Sequence, residues 1–171
     1  AGINASNSDL ICFLDADDFW HKDKLMVQYN KSVELSNINI FCCNLMNIKN
    51  GMNIKERFDE TKIFTNKNHS NEGIVENYIR PKGRYSFHAP SAIMVRKNIF
   101  DKYGLFDKDL KSVEDSEIVL RWGIFGEKIY YQNQVYVYYE IGNQDSLTKN
   151  VIRWSNNHFS YWIKNKYIKN I

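Results

Sequence analysis

Leu10-Ile11-Cys12-Phe13-Leu14-Asp15-Ala16-Asp17-Asp18-Phe19-Trp20 carries five apolar residues directly into three carboxylates. A continuous apolar run bounded by polar residues is the pattern of a strand buried on both faces. Ligands in open α/β sheets bind outside the carboxyl ends of such strands. Asp15, Asp17 and Asp18 are therefore expected to emerge where a parallel sheet does its chemistry. Three acids in four positions repel one another unless a cation or a set of donors compensates them. A hard divalent ion, Mg²⁺ or Mn²⁺, suits an all-oxygen set of this kind. The plainer reading is a solvated acidic turn capping the helix that follows.

Outward from this stretch, the pattern alternates strands and helices. Asp23 is placed to cap a helix whose Leu25, Tyr29 and Val33 recur on one face. Residues 38–46 and 92–95 read as further buried strands, and the Asn50-Gly51 turn signal predicts a hairpin arm over residues 53–64. Residues 72–79 read as a short helix stopped by Pro81 and Gly83, and residues 98–103 as another closed by Gly104. Residues 114–125 form an amphipathic helix with Ile118, Leu120, Trp122 and Phe125 on its apolar side. Tyrosine-rich strands follow at 128–131 and 134–140. The expected fold is α/β: a central, mostly parallel sheet flanked by helices, with an antiparallel edge.

Length and composition narrow the class. The chain has 171 residues, enough for one domain with its own core. A net charge of +3 is too small to make nucleic acid the main partner. The three cysteines, Cys12, Cys42 and Cys43, lie in apolar runs and have no zinc spacing to histidine, so free buried thiols are expected. No apolar stretch of about 20 residues is present. The domain is read as residues 1–150, followed by a basic and aromatic helix over 151–171. That tail interleaves Trp154, Phe159, Trp162 and Tyr167 with Arg153, Lys164, Lys166 and Lys169. It is compatible with weak, salt-sensitive contact at a membrane surface, or with packing against the domain. Only one strand precedes the acidic cluster, whereas a doubly wound sheet needs several, so the chain reads as the latter part of a domain.

A second acidic group, Glu114-Asp115-Ser116-Glu117, opens the amphipathic helix. Acids in a first turn often only complement the helix dipole. Here Gly104-Leu105-Phe106-Asp107 stands upstream and Leu120-Arg121-Trp122 downstream. Together with residues 8–20, Lys24-Leu25, residues 91–107 and Ser146-Leu147-Thr148, these stretches resemble the inverting, family 2 glycosyltransferases of the GT-A fold. The resemblance spans almost the whole chain in the family's order.

That resemblance implies a set of roles. Asp15, Asp17 and Asp18 would form the donor site, with Asp17 and Asp18 holding Mn²⁺ or Mg²⁺ and Asp15 contacting the ribose or orienting its neighbours. Asp115 would be the general base, with Glu114 the alternative. Trp20, His88, Glu117 and Arg121 complete the substrate-side set, Glu117 supporting the site and Arg121 pairing with it one turn on. The partners implied are a nucleotide-sugar donor, foremost a UDP-sugar, and a saccharide or glycolipid acceptor. The setting implied is bacterial surface polysaccharide or glycolipid synthesis in the cytoplasm, peripherally at the inner membrane face. The strand and loop that usually read the nucleotide's base would lie before Ala1, so the isolated chain is expected to be weakened or inactive. Glu140 stands near Tyr139, where many members carry arginine.

Competing readings are weaker. A calcium loop would need Gly and Glu where Trp20 and Met26 stand. A phosphatase of the haloacid dehalogenase type would place Thr or Val where Phe19 stands. A two-carboxylate glycoside hydrolase needs no metal. A non-catalytic carbohydrate- or nucleotide-binding fragment is the main alternative.

Overall fold

Two long strands, β3 (Ile40–Lys49) and β7 (Ile129–Glu140), lie side by side in parallel and make the spine of the sheet. They form where the sequence runs apolar and β-branched or aromatic for ten residues or more, the composition suited to a pleated, half-buried surface. The computed structural model describes residues 1–49, 52–56, 72–75, 89–110, 113–141 and 164–168. The hairpin arm beyond residue 56 and most of the tail lie outside them. So does His88.

The spine forks. At its first half, β3 pairs antiparallel with β6 (Ile93–Arg96), and β7 with β5 (Glu72–Val75). At its second half, β3 pairs with β4 (Met52–Glu56), and β7 with β2 (Phe19–Trp20). The change of neighbours falls where Cys43 faces Gln132, Asn44 faces Val135 and Leu45 faces Val137, so three residues of β7 bulge out of register. β1 (Leu10–Cys12) adds to the far side of β6. Being antiparallel to β6, which is antiparallel to β3, β1 runs in the same direction as the spine. The expected α/β fold, with a parallel centre and antiparallel edges, is what the chain adopts. The two tyrosine-rich runs are one strand with that bulge between them.

The helices are α1 (Gly2–Ala5), α2 (Lys24–Glu34), α3 (Asn98–Tyr103) and α4 (Glu114–Ile124). Ile99, Phe100, Ile118, Val119 and Trp122 from α3 and α4 join Ile11, Ile40, Leu45, Ile129 and Val137 in the main core. Edge-to-face contacts lock Phe13 to Phe100 and Phe106, and Phe100 to Trp122. A second cluster of Ile38, Phe41, Met94 and Tyr130 forms beside it. The three thiols are free, with Cys42 and Cys43 buried. Among the described residues, no helix is long and apolar enough to cross a membrane.

Three expectations are corrected. β1 stops at Cys12 because its partner begins in a tight helical turn, Pro90–Ala92, which offers no ladder to Leu14. Residues 72–75 are strand rather than helix, because the open flank of β7 takes them up. The third concerns α2, which turns its apolar face outward. Leu25, Tyr29 and Val33 are 46%, 52% and 64% exposed, whereas Lys24, Gln28 and Ser32 are buried. The inversion has a cause in hydrogen bonding. The Gln28 amide reaches the sheet, donating to the Ala92 carbonyl at 2.9 Å and the Phe41 carbonyl at 3.3 Å. Asp23 occupies the N-cap position without a capping hydrogen bond; its carboxylate lies 3.6 Å from both His21 and Lys22.

Candidate functional site

β1 delivers the chain to the fork, and β2 re-enters the sheet beyond it, so the turn between them spans the notch where β6 begins. Residues 13–18 fill that notch, with the Asp18 amide donating to the Asp15 carbonyl at 3.1 Å to close the turn. Its anchor is Ser91. The Asp15 amide donates to Ser91 Oγ at 3.1 Å, and the Trp20 indole N–H donates to the Ser91 carbonyl at 2.8 Å. Ser91 is fully buried, so both bonds are shielded from water.

The three acids differ in setting. Asp15 and Asp17 are exposed. Asp18 is 5% exposed, and neither of its carboxylate oxygens has a hydrogen-bond partner among the described residues. A buried carboxylate without donors is costly and calls for a proton or a cation. Burial pushes Asp18 up to about 6; the neighbouring charges of Asp15 and Asp17 add to the rise, while the nearby Ser91 hydroxyl and Glu140 backbone, neither in hydrogen-bonding geometry to it, offset part of it.

The second acidic group enters from α4. Val113 precedes that helix with φ of 61°, the only non-glycine residue in the left-handed region among those described. A β-branched side chain there is strained, and such strain gathers at functional sites. Glu114 and Asp115 follow it into α4 and lie within electrostatic reach of Asp15. Burial pushes Asp15 up, with contributions from Asp17 and Glu114. Burial likewise pushes Asp115 up to about 6; Glu114 and Asp15 add to the rise, and the Ser116 amide, donating to Asp115 Oδ1 at 2.6 Å, opposes it. Two acidic groups about a hundred residues apart in the chain thus share one locality.

Glu117 and Arg121 point the other way. Glu117 is fully buried and accepts from Arg121 at 2.8 Å, the pairing expected one helical turn apart. Arg121 also donates to the carbonyls of Tyr103 at 2.7 Å and Leu105 at 2.9 Å, and Tyr167 donates to Glu117 from the C-terminal segment. The pair ties α4 to the residues after α3. Gly104 is required there, since its φ is +85° and a Cβ would lie 3.2 Å from the Arg121 guanidinium. Tyr167, with Lys166 bonded to Asp107, holds residues 164–168 against the domain.

Ser91 was not legible as a site residue. It stands in sequence as the polar flank of a short strand, and nothing local signals that its hydroxyl and carbonyl serve a turn more than seventy residues away.

The raised carboxyls make a prediction with a definite sign. The folded protein holds protons on Asp18 and Asp115 between roughly pH 4 and 6 that the unfolded chain has released. Their contribution to stability therefore falls as pH rises through that window. Asp18→Asn is expected to raise the melting temperature at pH 7.5 by ~3 °C, with the gain gone by pH 4. Calorimetry at both pH values checks it; an equal gain at both would show that ionisation is not the cost.

A sequence model described as glycosyl transferase family 2 matches residues 1–104, which include the acidic turn and Ser91 but not α4. No curated protein matches the chain. Among solved structures, residues 1–349 of S. aureus TarS in complex with UDP superpose with a TM-score of 0.57 at 14% identity, over 97% of this chain and 48% of that one. A second S. aureus TarS structure gives 0.56 at 14% identity, over 97% of this chain and 29% of that one. The chain thus spans under half the length of either, and at this identity the likeness is one of fold.

Proposed function

The chain belongs to glycosyl transferase family 2, and from that premise we propose that it transfers a sugar from a nucleotide-sugar donor, foremost a UDP-sugar, to a hydroxyl of a saccharide or glycolipid acceptor, with inversion. The observation that carries this reading is that Asp15, in the acidic turn, lies within electrostatic reach of Glu114 and Asp115. A TarS structure in complex with UDP superposes on the same fold, which supports a uridine nucleotide as the first donor to test.

The acidic turn fits a divalent cation, Mn²⁺ or Mg²⁺, on one specific ground: Asp18 presents two buried, unpartnered carboxylate oxygens. Among the described residues no group of three or more His, Cys, Asp or Glu is arranged around one point. That is compatible with a hard ion completed by substrate phosphates, which takes only one or two protein carboxylates. Asp17 and Asp18 would hold the cation, which when bound supplies positive charge against the departing nucleoside diphosphate. Asp15, fixed through its amide to Ser91, orients the turn and faces the donor's ribose. Asp115 takes the proton from the acceptor hydroxyl as that oxygen attacks the anomeric carbon; Glu114 is the neighbour that could replace it. Glu117 and Arg121 serve the substrate indirectly, by fixing the start of α4, and Trp20 by bracing the turn.

The test is calorimetric binding of UDP with and without Mn²⁺, followed by transfer or hydrolysis assays over a panel of UDP-sugars. Binding is expected to depend on the metal and to be abolished by chelator. Asp17→Ala is expected to weaken metal-dependent UDP binding at least ~10-fold. Metal-independent binding, or binding indifferent to Asp17, would sink the donor-site assignment.

A further inference from the structure

Lys24 is among the largest fully buried side chains of the protein, at a position where a helix would ordinarily present a hydrophobe. Lysine is almost never fully buried unless paired. No carboxylate among the described residues lies within ion-pair distance of it. Its ammonium instead donates to Gln28 Oε1 at 2.8 Å and sits 4.3 Å from the centre of the Trp20 ring. The thiols of Cys12, Cys42 and Cys43 lie within electrostatic reach of it, and burial holds Cys42 and Cys43 well above the ordinary thiol range, so they stay neutral. Methionine would fill similar volume without the desolvation cost. Space-filling alone therefore does not account for a cation here.

The contacts of Lys24 form a closed circuit. Gln28 carries the lysine's bond on to the carbonyls of Ala92 and Phe41. Trp20, beneath the ammonium, donates its indole N–H to the carbonyl of Ser91, the residue before Ala92. The hydroxyl of the same Ser91 takes the Asp15 amide. α2, the start of β6 and the acidic turn thus meet through one buried polar path. A cation over an indole face is held more strongly in a dry site than at an exposed one.

We propose that Lys24 is a positioning residue for the acidic turn: its buried ammonium fixes the Trp20 indole, and the indole, through Ser91, fixes the backbone that presents Asp15, Asp17 and Asp18. The functional half of this rests on the reading of that turn as the donor and cation site.

The test uses the full chain. In Lys24→Met, hydrogen exchange of the Trp20 indole N–H and the Asp15 amide, followed by NMR, is expected to accelerate at least ~10-fold, and Mn²⁺-dependent UDP affinity to fall at least ~10-fold. Turnover at saturating donor and metal is expected to stay within ~3-fold of wild type, a KM effect that general loosening would not confine in this way. Unchanged exchange in a folded Lys24→Met overturns the proposal. So does accelerated exchange with unchanged UDP affinity. Should Lys24→Met fail to fold, Trp20→Phe decides, because it keeps an aromatic ring for the ammonium and removes the part of the indole whose N–H bonds Ser91. Faster exchange of the Asp15 amide with the same loss of affinity there supports the path, and an undisturbed Asp15 amide overturns it. Accelerated exchange in a protein whose wild type binds no UDP would refute the donor-site reading while leaving the positioning role standing.

Discussion

Asp115→Asn is expected to lower the rate of sugar transfer by about 10²–10⁴-fold, the usual worth of a positioned general base. Asparagine keeps the shape of the side chain and can still accept the Ser116 amide, but it cannot take a proton. UDP binding in the presence of Mn²⁺ should stay close to wild type, since the role proposed for Asp115 is on the acceptor side. The wild-type rate should rise as pH passes through about 6, where this carboxyl ionises, and that limb should vanish in the variant. Steady-state kinetics with binding calorimetry checks both halves. Equal losses of binding and turnover would contradict the division of labour between Asp115 and the acidic turn. A loss that appears in Glu114→Gln instead would move the base by one residue.

Arg121→Met is expected to be the most damaging single change to stability. It strands Glu117, which is fully buried, and strips donors from the carbonyls of Tyr103 and Leu105. Removing one partner of a buried ion pair costs about 3–5 kcal/mol, which in a protein of this size lowers the melting temperature by about 10 °C. Replacing both partners, as Glu117→Leu with Arg121→Met, should recover much of that loss, because no unpaired charge remains inside. Thermal melts of the single and double variants decide it. A single variant that melts like wild type would mean the guanidinium contributes little.

The legible parts of this fold were those where one physical demand dominates. The apolar runs at residues 10–14, 38–46 and 92–95 each hold a strand, β1 over 10–12, β3 from 40 and β6 from 93, because a sheet covered on its faces wants continuous hydrophobes. α4 was readable from its first-turn acids and its buried Ile118 and Trp122, and the Glu117–Arg121 pair from helical spacing. The face of α2 was not readable, because Gln28 is buried by carbonyls of β3 and the turn before β6, partners that no local periodicity announces. Residues 72–75 failed for a similar reason: their state is set by the open flank of β7. The acids of the candidate site were visible at once. The means of holding them was hidden: a serine shared by two segments and a valine held at positive φ.

The pairing of β2 with β7 also sets an order of events. Trp20 meets Val137 only after well over a hundred further residues have been made. At 5–20 residues per second on the ribosome, this interval is roughly ten seconds. Closing so long a loop is entropically slow compared with forming α2 or pairing β3 with β4. Through that interval the three carboxylates belong to a nascent chain with no notch to sit in. The site is therefore among the last features to mature, and a chain released before β7 would have its acids and no place to use them.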